Sequence, residues 1–196
     1  MKAMTGTHGR PPARGFSLLE LVIVVGITLV VAAVAIPGVF TATQNFKLRS
    51  TASGLSGLIQ KARMLAVARN GFYPLLTTTG TVYAFIDVNG TGTMDTTAEN
   101  TSVLMPGNVT IDFAGSNPSD ATLRGSLNPV STSVPRFNPR GLPCFMVSGA
   151  CKVDPTQMYI TYLRQDRAIG ATGWAAVTLS PAGRAQVWTW DGSKWQ

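Results

Sequence analysis

Arg14-Gly15-Phe16-Ser17-Leu18-Leu19-Glu20-Leu21 opens a run that stays apolar to Ile36, interrupted only by Ser17, Glu20 and Thr28. From Phe16 to Ile36 the run is 21 residues long, and a helix of about 20 residues spans a bilayer. Residues 1–15 are polar, basic and contain Gly and Pro, and no basic residue follows the run closely. Cytoplasmic flanks retain Lys and Arg, so this asymmetry predicts a single pass with the N-terminus in the cytoplasm and the remainder outside.

Glu20 is the anomaly, because an acid within such a span costs about 2–3 kcal/mol on insertion scales and needs a partner. A cut between Gly15 and Phe16 would create an α-amino group five positions from that carboxylate, counting Phe16 as the first. Within one helix the two lie too far apart for a good contact. The amine of a neighbouring subunit would neutralise both charges in an apolar assembly. Two other readings of the run are an ordinary secretory signal, with Ala33-Val34-Ala35 as its cleavage site before Ile36, and a plain signal anchor. Neither accounts for Glu20, and the run exceeds the 7–15 apolar residues or so of a signal peptide.

Gly before the junction, an aromatic residue after it and Glu at the fifth position resemble the leader junction of type IV prepilins and type II secretion pseudopilins. The resemblance implies that a membrane aspartyl peptidase cuts between Gly15 and Phe16 and methylates the new N-terminus at Phe16. It implies that Glu20 serves assembly and that Pro37 is a helix-kinking proline. It also implies the partners: the prepilin peptidase and methyltransferase, other pilin-like subunits and an inner-membrane assembly platform. The domain reading that follows is a leader at 1–15, a transmembrane and assembly helix at 16–36, an amphipathic helix at 37–70 and a β-rich periplasmic head at 71–196.

Beyond Pro37, Leu48, Ala52, Leu55, Ile59, Ala62 and Ala66 step by three and four residues, one stripe of an amphipathic helix. Arg49, Ser53, Ser56, Gln60 and Arg63 fall largely off it. Asn70-Gly71 supplies a C-terminal stop. The β-rich stretches after it are 81–87, 101–105, 109–113, 134–137, 157–163, 174–179 and 184–190. One long helix followed by strands predicts an α+β fold in which a mainly antiparallel sheet packs on the amphipathic half of the helix. Residues 114–133, rich in Ser, Asn, Pro and Gly, read as a loop and the most mobile part. There is no internal repeat.

Within the prepilin class, several stretches resemble the GspH/FimT group of minor pseudopilins and minor pilins. Leu58-Ile59-Gln60-Lys61-Ala62-Arg63 with Ala66 and Asn70 is similar to its helix end. Phe85-Ile86-Asp87-Val88-Asn89 through Gly92, Asp95 and Glu99 resembles its acidic turn, and Phe137-Asn138-Pro139-Arg140-Gly141 and Leu179-Ser180-Pro181-Ala182-Gly183-Arg184 fit as well.

Asp87, Asn89, Thr91, Gly92 and Asp95 stand at positions 1, 3, 5, 6 and 9 of a calcium loop of the EF-hand kind. The strongest ligand is displaced, because Glu99 falls at position 13 and Ala98 at 12. An Asx- and Gly-rich hairpin whose carboxylates bond their own backbone is therefore the preferred reading, and no metal or other cofactor is expected. Cys144 and Cys151 are candidates for a disulfide after export, with two free thiols as the alternative. Their spacing is not that of a C-x-x-C redox pair. Residues 174–190 read as a hairpin turning at Ser180-Pro181-Ala182-Gly183, its Trp188 and Trp190 on one face with Trp195 nearby, packing a sheet.

Some FimT-type minor pilins bind DNA for uptake through a C-terminal Gly-Arg-x-Arg element. Gly183-Arg184-Ala185-Gln186 keeps Arg184 and has Gln in place of the second Arg. Charged residues make up 13% of the chain, against about 25% in ordinary soluble domains. Lys2, Arg10 and Arg14 precede the junction, so cleavage would lower the formal charge from +7 to +4. The remaining arginines are scattered, which argues against a polybasic tail. His8, the only histidine, lies in the leader, so a cut chain has no imidazole for a triad or a metal site, and an enzyme is not expected.

The expected role is a subunit of a type II secretion pseudopilus or type IV pilus at the bacterial inner membrane, supporting protein secretion or pilus biogenesis. Its head would contact partner subunits or secreted cargo. The alternative is a minor pilin that captures extracellular DNA for natural transformation.

Overall fold

The computed structural model describes residues 17–77, 83–94, 102–112, 117–119, 121–130, 135–168 and 170–196. The chain divides into two compact units, Met1–Thr41 and Ala42–Gln196. The helix α1, Leu18–Ala68, runs through the boundary.

In the first unit α1 begins after Ser17, whose carbonyl accepts the first helical bond from the Leu21 N–H at 3.1 Å. Leu, Val, Ile and Ala surround it on all sides, and its large apolar side chains from Leu18 to Phe40 are exposed. Thr28 turns its hydroxyl inward and donates to the Val25 carbonyl at 2.8 Å, hiding its polarity against its own backbone. Pro37 lies inside the helix without ending it. It offers no N–H to the preceding turn, and its carbonyl accepts the Thr41 hydroxyl at 3.1 Å.

In the second unit the stripe expected from the sequence is buried in full: Leu48, Ala52, Leu55, Ile59, Ala62 and Ala66. Thr51 and Leu58 widen it. The helix ends in a Schellman motif, with Asn70 in the left-handed region (φ 49°). There the Gly71 N–H donates to the Ala66 carbonyl at 3.1 Å and the Asn70 N–H to Val67 at 3.4 Å.

The remainder is strands: β1 Tyr73–Thr77, β2 Tyr83–Ile86, β3 Ser102–Leu104, β4 Val109–Asp112, β5 Asn128–Val130, β6 Arg136–Phe137, β7 Pro143–Val147, β8 Ala150–Lys152, β9 Gln157–Gln165, β10 Gly173–Leu179 and β11 Ala185–Thr189. A short helix, α2 Ala121–Arg124, precedes β5. One sheet has the order β3-β2-β1-β6-β7-β8, the other β11-β10-β9-β4, with β5 pairing on β9. The pairings are antiparallel except β5 with β9. The architecture is α+β, a long N-terminal apolar helix followed by an antiparallel head, as expected.

Period-two alternation explains why β9 and β10 are buried on both faces. Tyr159, Leu163, Ala175, Val177 and Leu179 point into the core that includes the helix stripe. Met158, Ile160, Tyr162, Trp174 and Ala176 point the other way, into a second cluster with Leu123 and Trp195. That second cluster corrects the reading of 114–133 as a loop. Within it α2 and β5 form, with Leu123 and Leu127 seated on the outer face of the sheet. The Trp195 indole N–H donates to the Ser119 carbonyl at 2.9 Å and ties the chain's end to the same cover. Residues 113–116, 120 and 131–134 lie outside the described residues.

Candidate functional site

Gly15 and Phe16 lie outside the described residues. The structure describes the segment that follows them. Glu20 is in the first turn of α1, where the unpaired N–H groups of a helix start favour negative charge. It is the only ionisable side chain between Ser17 and Phe46, so nothing within that stretch neutralises it. Among the described residues α1 is the one helix long and apolar enough to cross a membrane. The spacing Ser17-Leu18-Leu19-Glu20 is also that of a capping box, a sequence signal overlooked beside the oddity of an acid in an apolar run.

In the head, the stretches at the helix end, at 137–141 and at 179–184 converge. The Gly183 carbonyl accepts Arg63 Nη1 at 3.0 Å and Gln60 Nε2 at 3.3 Å. Gly183 has φ 82° and Gly141 φ 72°, left-handed conformations that favour glycine. The space is as restrictive as the backbone. A Cβ on Gly141 would come 2.8 Å from the Val67 side chain, and one on Gly183 would come 3.0 Å from the Arg63 guanidinium and 3.1 Å from the Gly141 carbonyl. Asn138 shapes the first of these turns, its Oδ1 accepting the N–H groups of Arg140 and Leu142, each at 3.0 Å. Arg184 follows the second turn with its side chain exposed and its N–H donating to Ser180 Oγ at 3.1 Å.

The 87–92 segment is the backbone-bonded turn expected. Asp87 Oδ1 accepts the Gly90 N–H at 2.7 Å and Oδ2 the Gly92 N–H at 3.1 Å, while Asn89 Oδ1 accepts the Thr91 N–H at 3.2 Å. Asp95 and Glu99 lie outside the described residues.

Cys144 and Cys151 form a disulfide across the β7–β8 hairpin, Cα to Cα 5.3 Å. The two-residue turn Ser148-Gly149 has positive φ at both positions, 50° and 81°, as a type I′ hairpin requires. Ser148-Gly149 between two apolar pairs was the signal for this unforeseen hairpin. Beneath it the Tyr159 hydroxyl donates to the Cys144 carbonyl at 2.6 Å, and its ring stacks on Phe145 with centroids 4.6 Å apart. Burial pushes this phenol well above the usual range, against a smaller opposing pull from Arg136.

The tryptophans of the 174–190 hairpin serve packing. The hairpin turns at Ser180–Gly183, where the Gly183 N–H donates to the Ser180 carbonyl at 2.8 Å. Trp188 and Trp190 pack on the second cluster, and Trp188 Nε1 donates to Thr178 Oγ1 at 3.0 Å.

Residues 10–36 match the family described as the prokaryotic N-terminal methylation motif. The match covers the junction and the apolar run, and it supports a type IV prepilin-like protein, a pilin- or pseudopilin-type subunit. Processing by a prepilin peptidase and assembly with other pilin-type subunits follow from the motif. No curated protein and no solved structure is significantly similar to the chain.

Proposed function

We infer that this chain is a minor subunit of the GspH/FimT kind, built through its N-terminal helix into a type II secretion pseudopilus or a type IV pilus. The observation that carries the reading is Glu20, the lone charge of the apolar run from Phe16 to Ile36, which lies within a methylation motif. The peptidase cuts after Gly15, Phe16 becomes the methylated N-terminus, and Glu20 of one subunit neutralises that amine in its neighbour. Before assembly residues 16–36 cross the inner membrane once, with residues 1–15 cytoplasmic and the head periplasmic. The convergence of the helix end with the two glycine turns supports the GspH/FimT assignment, because these are the stretches that resemble that group.

Mass spectrometry of the processed protein tests the reading. The expected N-terminus is Phe16, one methyl group heavier than the unmodified residue. A product starting at Ile36, or an uncut chain, overturns it. The second reading, capture of DNA for uptake, draws on the exposed Arg184 beside the Gly183 turn. A deletion strain assayed in parallel for secretion, pilus assembly and DNA uptake separates the two. Salt-insensitive or absent DNA binding by the full-length protein removes the second.

A further inference from the structure

A cleft of about 200 Å³ opens in the head, lined by Asn45, Leu48, Arg49, Arg167, Trp174, Thr189 and Trp190. Two guanidiniums and two indoles thus face one residue-sized space, and among the described residues no carboxylate lines it. The nearest acids along the chain are committed elsewhere. Asp166 pairs with Arg164 at 2.9 Å, and Asp191 accepts the N–H groups of Ser193 and Lys194, each at 2.8 Å.

Arg167 is held in place by neutral amides. Its Nε donates to Gln165 Oε1 at 3.1 Å and its Nη2 to Asn45 Oδ1 at 2.7 Å. Gln165 is completely buried, and its Nε2 donates to the Gln44 carbonyl at 3.1 Å and to Gln44 Oε1 at 3.0 Å. Asn108 Nδ2 donates to the same Gln44 Oε1 at 2.8 Å. Space is reserved for the guanidinium as well, because a Cβ on Gly173 would overlap Arg167. Amides orient a cation without neutralising it, and a partly desolvated guanidinium left in that state favours an incoming anion. Nη1 of Arg167 and the whole Arg49 side chain have no hydrogen-bond or ion-pair partner among the described residues. Trp174 and Trp190 then offer apolar surface to whatever carries the anion.

We propose that this cleft binds an oxyanion, a carboxylate or a phosphate monoester, attached to a flat apolar body, with Arg49 and Arg167 holding the charge and Trp174 and Trp190 the body. The site is distinct from the Glu20 segment and from the Gly183-Arg184 turn, and it does not depend on which filament receives the subunit.

The test uses the full-length chain in a nonionic detergent, with intrinsic tryptophan fluorescence as the readout and phenyl phosphate, benzoate, inorganic phosphate and benzyl alcohol as probes. Saturable quenching by phenyl phosphate or benzoate is expected, stronger with whichever oxyanion the site prefers. Benzyl alcohol, which lacks the charge, should bind at least about tenfold more weakly. Arg49→Gln, on an exposed position, and Arg167→Gln should each weaken binding about tenfold or more. Gly173→Ala keeps both charges but displaces Arg167, and should weaken it likewise. Arg140→Gln, on the remote turn, should leave the affinity unchanged. Absence of saturable quenching by either aryl anion overturns the proposal. So does equal binding of benzyl alcohol, or affinity unchanged in both Arg49→Gln and Gly173→Ala.

Discussion

Residues 18–41 and residues 48–66 belong to one helix and are both rich in small and branched apolar residues. The first set leaves its large side chains in the open, whereas the second buries a complete stripe. Apolar residues fall from 18 of 24 in the first to 9 of 19 in the second, and their arrangement around the axis changes with them. From Leu18 to Phe40 no face is polar, so a surrounding apolar medium or a ring of partners must cover the segment. From Leu48 to Ala66 one face is apolar, and the two sheets of the head cover it. The charges follow the same division. Glu20 stands alone in its stretch, whereas Arg63 reaches the Gly183 carbonyl at 3.0 Å and Arg167 reaches Asn45 at 2.7 Å.

The sharpest way to break this contrast is to change each half and ask which property fails. Glu20→Gln should abolish incorporation into filaments while leaving the thermal melting of the head unchanged, because a buried amine without its partner costs about 3–5 kcal/mol. Sheared-filament fractions together with a melting curve check it, and normal assembly of the variant would break the comparison. Leu55→Ala should do the reverse, lowering head stability by about 2–5 kcal/mol, read by denaturant titration. Leu29→Ala, in the exposed half, should leave that titration unmoved.

Smaller effects sharpen the picture within the head. Reducing Cys144–Cys151, or replacing both residues with Ser, should cost about 2–3 kcal/mol for a loop of roughly eight residues, seen as a lower melting temperature. Gly141→Ala should cost about 1–3 kcal/mol, since alanine there meets both a left-handed backbone and the Val67 side chain. The mildest expectation concerns acid. The Asp191 carboxyl is held below the usual range mainly by the backbone N–H groups of Lys194 and Ser193. Its contribution is therefore complete above roughly pH 4 and is lost as pH falls below that value toward the folded pKa. Tryptophan fluorescence followed through acid titration should show the Asp191–Gln196 turn loosening in the native protein and no such step in Asp191→Asn.

The helix was legible because its signals are strong and local. The stripe steps by three and four, Asn70-Gly71 sits where the left-handed cap forms, and Glu20 announces itself against its neighbours. The 174–190 hairpin was legible from its turn residues. β1, the last two residues of β9 and the α2–β5 cover were not foreseen, each for its own local reason. β1 follows the helix cap directly and carries Pro74, which masks a strand pattern. β9 runs on to Gln165, a polar residue whose burial depends on the amide of Gln44 on the helix. Leu123 and Leu127 are isolated apolar residues in a polar stretch, and their role appears only once the outer face of β9 and β10 is known to need a cover. The arginine and tryptophan cleft joins positions more than a hundred residues apart in the sequence, a distance that local pattern does not bridge.

The burial of β9 and β10 on both faces has a consequence in time. The stripe at 48–66 is made before the strands at 157–189 that cover it. The core therefore joins positions about a hundred residues apart, a non-local closure that slows folding. Loss of Trp195 would uncover Tyr162 on the outer face of β9 and release the tie to the Ser119 carbonyl.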